Sequence, residues 1–97
     1  MSKATQAESR YMGRVAALRC VLCTHLGIRQ HGRTFVHHVK EGCGIGERSQ
    51  AWVSCALCYD HHQGSNGLHG LGTRGFATRY KLDEMDLLAM TIKALNS

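Results

Sequence analysis

The chain has 97 residues, five cysteines, seven histidines, no proline and a formal net charge of +5. A chain this short forms one domain that buries only about 60 to 68 per cent of its unfolded surface, so a covalent or metal staple is expected. The opening MSKATQAESR holds no apolar stretch of the kind that directs secretion, and no apolar run approaches the roughly 18 residues of a membrane span. Disulfide, membrane and repeat architectures are thereby disfavoured, and a soluble, cytoplasmic protein with metal-ligating thiols is expected.

The charge is uneven. Residues 1–40 carry seven Lys/Arg against Glu8 alone, whereas residues 83–97 carry three acids and Lys93. Such a basic half suits a polyanion, most simply nucleic acid, although a solvated basic face would look the same.

Thr5 and Glu8 have capping-box spacing, and Tyr11, Val15, Leu18 and Leu22 recur at helical period, which predicts a helix from about Gln6 to Leu18. Arg10 and Arg14, on its other face, are the DNA-contacting candidates. Cys20 and Cys23 have the two-residue spacing that lets one turn aim both sulfurs at an ion about 2.3 Å away. Residues 24–33 lack a period and read as loop, with His25 and His31 as surface histidines. TFVHHV, from Thr34 to Val39, reads as a strand. Alternation sends His37 and His38 to opposite faces unless a bend brings them together.

The glycine-rich turn around Cys43, from Gly42 to Gly46, matches neither a phosphate loop nor a dinucleotide fingerprint. Cys43 itself reads as a free thiol. A second strand is expected over Trp52 to Leu57, returning antiparallel to the first. It feeds into Cys58-Tyr59-Asp60-His61-His62, where Cys58 and His61 repeat the two-residue spacing. Cys20, Cys23, Cys58 and His61 would complete a tetrahedral zinc site. Cys55 in place of His61 would give a site of four thiolates instead. Phe76 and Tyr80, one helical turn apart, should pack together. Asp83 should cap a final helix with Met85, Leu88, Ile92 and Leu95 as its buried stripe, a scaffold element rather than a chemical one.

Zinc leaves His37, His38, His62, His69 and Asp60 unexplained. A strand bearing two adjacent histidines, a returning strand and a helix that begins in Cys-x-x-His-His resemble the HNH, or ββα-metal, endonucleases. Read together, HHVKEGCGIGERSQ, LCYDHHQGSNGLHGLGTRGFATRY and the leucine-rich tail look like the phage recombination-enhancement nucleases, the Ref family, whose cleavage depends on RecA filaments.

The resemblance implies an α+β fold, a zinc-stapled ββα-metal domain spanning residues 1–97 with flanking helices. Its parts would be an N-terminal helix over 1–19, a zinc and ββα core over 20–72 and a helical tail over 73–97. It also implies a metal-dependent DNA endonuclease, phage-encoded and acting in the cytoplasm of a bacterial host on RecA-coated DNA. His38 would be the general base and Cys58 with His61 the helix-start half of the structural Zn²⁺ site. His37, His62 and His69 would hold a catalytic Mg²⁺ or Mn²⁺. The family's middle asparagine falls on Val53, so a backbone carbonyl or Gln50 is expected to orient His38. Larger members carry a basic N-terminal extension that this chain lacks.

Chemically, phosphodiester hydrolysis needs an activated water and neutralisation of charge on the phosphate, which a neutral imidazole and a divalent ion can supply. The alternative is a non-catalytic zinc module that binds nucleic acid or protein. A zinc hydrolase or deaminase is disfavoured, because neither His-Glu-x-x-His nor His-x-Glu followed by Pro-Cys-x-x-Cys is present.

Overall fold

The computed structural model describes residues 4–39 and 51–97. The glycine-rich turn, Cys43 and Gln50 lie outside the described residues. Among the described residues five helices and two strands follow in the order α1 (Gln6–Ala16), α2 (Val21–Leu26), β1 (Thr34–His38), β2 (Ser54–Cys58), α3 (Tyr59–His62), α4 (Leu68–Tyr80) and α5 (Glu84–Leu95). This is a small α+β arrangement in which one antiparallel strand pair carries the helices.

Each end of α1 has a local cause. The Thr5 hydroxyl accepts the Glu8 N–H while the Glu8 carboxylate accepts the Thr5 N–H, closing the capping box. The helix stops at Ala16, two residues before the expected end. Leu18 then leaves its carbonyl to accept the Thr34 hydroxyl at 2.6 Å, which ties the chain after α1 to the start of β1. The region read as loop begins instead with the second half of α2. Cys20 sits at its N-cap, with Sγ accepting the Cys23 N–H, and Gly27 closes it at φ 70°, where glycine carries no Cβ penalty.

In the strand pair Thr34 faces Cys58, His37 faces Cys55 and His38 faces Ser54. β2 begins two residues later than expected because Ala51 and Trp52 form a short turn, with Trp52 exposed against Tyr11 at 5.0 Å between ring centroids. Every residue of β2 is buried. α5 covers it, and Thr91 Oγ1 accepts the Ala56 N–H at 3.3 Å.

The α5 stripe is rotated from the one expected. Leu87, Leu88 and Thr91 are buried together with Glu84, while Met85 and Ile92 are exposed. The capping box of Asp83 with Asp86 sets where the helix starts. Packing against the sheet then selects a face that includes two polar residues, something an apolar periodicity cannot reveal. Phe76 and Tyr80 do pack, with centroids 4.7 Å apart. The core joins Val15, Leu22, Leu57, Phe76 and Leu87.

α4 was not anticipated in its glycine-rich first turns. Its backbone breaks at Gly72, which lies at φ 74° and ψ 163°, so the segment is two helical pieces meeting at a kink. Gly67 at its N-cap sits against α3: a Cβ there would lie 2.4 Å from the His61 carbonyl carbon. That approach brings His69, on the first turn of α4, towards the strand histidines.

Candidate metal centres

Among the described residues two ligand clusters flank α3. The first gathers Cys20, Cys23, Cys58 and His61, all buried. His61 Nδ1 lies 3.6 Å from Cys20 Sγ, 3.5 Å from Cys23 Sγ and 3.3 Å from Cys58 Sγ, and the Cys23 and Cys58 sulfurs are 3.7 Å apart. Zinc bound tetrahedrally at ordinary bond lengths would need sulfur–sulfur edges of about 3.8 Å and sulfur–nitrogen edges of about 3.6 Å. The measured edges match those values. The cluster is therefore a buried three-cysteine, one-histidine set compatible with a structural metal ion such as zinc.

Cys55 is not in this set. It alternates onto the His37 face of the strand pair, is fully buried, and burial pushes its thiol up to about 12. Burial, followed by the neighbouring Cys20, likewise raises the Cys23 thiol, and burial raises that of Cys58. Without a cation these groups stay protonated; coordination favours the thiolates. Tyr80 braces the cluster, its ring 5.9 Å from that of His61 and its hydroxyl donating to the Asn66 carbonyl at 2.7 Å. Asp60 accepts from the Asn66 amide and belongs to neither cluster.

The second cluster gathers His37 from β1, His62 from α3 and His69 from α4, each offering a nitrogen within 4.8 Å of the others. They line a cavity of about 350 Å³ together with His38, Thr73 and Glu84. Alternation sends His37 and His38 to opposite faces of β1, yet both line this cavity. Burial lowers the His62 pKa to about 4, with the neighbouring His37, His69 and His38 adding to the effect. Burial also lowers that of His37, against the opposing pull of Glu84. Both imidazoles are neutral at pH 7 and keep a lone pair for a cation.

Two partners of these histidines were not foreseen. Glu84 Oε2 lies 2.5 Å from His37 Nε2, a buried contact that makes α5 more than scaffold. Ser54 Oγ lies 3.4 Å from His38 Nδ1, and its hydroxyl donates to the Ala51 carbonyl at 2.8 Å. Ser54, one residue beyond Val53, is thus a β2 side chain that meets the His38 ring, whereas Gln50 lies outside the described residues.

Arg10 and Arg14 are exposed on α1. Arg14 donates to the carbonyl of Leu95, the last residue of the 12-residue helix that Glu84 begins. About 16 Å of helix axis therefore separates it from the second cluster. Nearer cations are Arg33, stacked 4.8 Å over the Phe35 ring on β1, and Arg74, which follows the cavity-lining Thr73. Charge counting alone could not have singled these out. Among the described residues no helix is long and apolar enough to cross a membrane.

No protein-family model matches the chain. No curated protein matches it either.

Proposed function

We propose that the protein is a metal-dependent DNA endonuclease of the HNH, ββα-metal type, with one structural zinc and a separate catalytic divalent ion. The observation that carries this reading is the cavity at the end of β1, where three imidazoles converge beside a fourth whose Nδ1 faces Ser54. A zinc-stapled binding module accounts for the Cys20, Cys23, Cys58 and His61 set but gives no reason for four histidines around one cavity.

In the proposed reaction His38 takes a proton from the attacking water, and the Ser54 hydroxyl beside its ring helps to orient it. His37, His62 and His69 would hold the ion, which would offset charge on the scissile phosphate and leaving oxygen. Arg33 and Arg74 are the nearer candidates for flanking phosphates, while Arg10 and Arg14 would meet the backbone farther along. The zinc cluster anchors α2 to α3 and keeps His62 in place.

Nicking of supercoiled plasmid with Mg²⁺ and with Mn²⁺, in the presence and absence of RecA filaments, tests the assignment. The RecA arm is included because the Ref-like segments imply a RecA-coated substrate and a role in phage recombination. Metal-dependent nicking lost in His38→Ala is expected. Salt-sensitive DNA binding with no nicking under any of these conditions would leave the zinc-module alternative standing instead.

A further inference from the structure

The second cluster differs from the sites that Mg²⁺ prefers. Mg²⁺ seeks six oxygens in near-octahedral geometry and is usually held through carboxylates, phosphates and water. The cavity at the end of β1 offers imidazole nitrogens from His37, His62 and His69, and among the described residues Glu84 is the single carboxylate in its lining. That carboxylate is already engaged, 2.5 Å from His37 Nε2, with both side chains buried. At this separation one proton lies between the two atoms, so His37 has Nδ1 left for a cation. The donor set that the described residues present to an ion is therefore nitrogen-rich, backed by a carboxylate behind one imidazole, the arrangement that orients ligating histidines and raises their basicity in metal sites.

We infer that this cavity takes a borderline divalent transition ion, of the Co²⁺ or Zn²⁺ class, in preference to Mg²⁺, and that Glu84 is the positioning residue that holds His37 for it. The inference rests on reading the three-histidine cluster as an ion site, and it narrows the choice of ion that the nuclease reading leaves open. Imidazole ligands favour Co²⁺ and Zn²⁺ over oxygen-seeking ions on grounds of ligand softness, with Mn²⁺ intermediate. The cavity is large enough for a phosphate oxygen and water to complete the coordination, so the protein need not supply further donors. Nor does the thiolate cluster compete for the role, since its four donors already close a tetrahedron.

The test is equilibrium binding of CoCl₂, MnCl₂ and MgCl₂ to the full chain with its cysteine site preloaded with Zn²⁺. It is read by calorimetry and by the visible spectrum of bound Co²⁺. One equivalent of Co²⁺ should bind without the intense near-ultraviolet band of a thiolate complex, and a hundredfold excess of Mg²⁺ should not displace it. Glu84→Gln should weaken Co²⁺ binding by about 10 to 100-fold. His69→Ala, a change at an exposed position where folding is not at stake, should weaken it by at least as much. Displacement of Co²⁺ by equimolar Mg²⁺ would overturn the ion preference, and unchanged Co²⁺ affinity in a folded Glu84→Gln protein would overturn the role of Glu84. Failure of all three ions to bind would overturn the ion-site reading of the cluster itself, an outcome distinct from either.

Discussion

His61 and His62 are adjacent on α3 yet serve different clusters: His61 Nδ1 lies 3.3 Å from Cys58 Sγ, whereas the His62 ring lies 5.0 Å from that of His37. Successive residues on a helix point about 100° apart, so a four-residue helix between two sites can feed both. A helix so short has no stability of its own, and the first cluster must hold it in place for the second to form. Zinc contributes roughly 10 to 16 kcal/mol of apparent binding free energy in small domains. Replacing Cys58 with serine should therefore abolish zinc binding, unfold the chain and remove the second site with it. His62→Ala should keep one zinc per chain and a near-wild-type melting temperature. Elemental analysis and thermal denaturation of the two variants check this asymmetry.

Cys55 separates two ligand sets. Cys55→Ala should retain full zinc content and lose only about 1 kcal/mol of stability, the effect of deleting one small buried group. Loss of zinc in this variant would restore the four-thiolate arrangement.

His38→Ala should leave zinc content, melting temperature and DNA affinity near wild type while lowering cleavage by about 10² to 10⁴-fold, the usual contribution of a general base. Raising Mn²⁺ should not rescue it, whereas His37→Ala and His62→Ala should recover partly. Ser54→Ala should fall between wild type and His38→Ala in single-turnover cleavage, because it removes a contact to the ring but not the base.

Gly67→Ala should destabilise the protein by about 1 to 3 kcal/mol through overpacking, since the added Cβ meets the His61 backbone. A melting temperature equal to wild type, measured with zinc bound, would show that the α3–α4 junction has room to shift.

DNA affinity should fall steeply with salt and depend little on sequence. Arg10→Ala and Arg14→Ala should each reduce the slope of log K against log salt by about 1. If Arg33→Ala and Arg74→Ala lower cleavage more than these two do, the phosphates nearest the cavity are held from the residue before β1 and from α4.

What the residues determine by themselves is short-range. The Cys-x-x-Cys and Cys-x-x-His spacings lie within single turns, so local backbone geometry brings each pair together. The capping residues Thr5 and Asp83 and the β-branched, aromatic run before His37 set their elements for equally local reasons. Once a strand is known to run to Cys58, the exclusion of Cys55 also follows, since positions three apart alternate to opposite faces. Other features depend on packing between distant segments. Ser54 meets His38 because of strand register, and Glu84 meets His37, 47 residues away, because α5 buries a polar face against the sheet. His69 joins the imidazole cluster because Gly67 lets α4 approach α3 at backbone contact. No periodicity encodes these meetings: a polar residue on a buried face reads as solvent-facing until the element that covers it is in place.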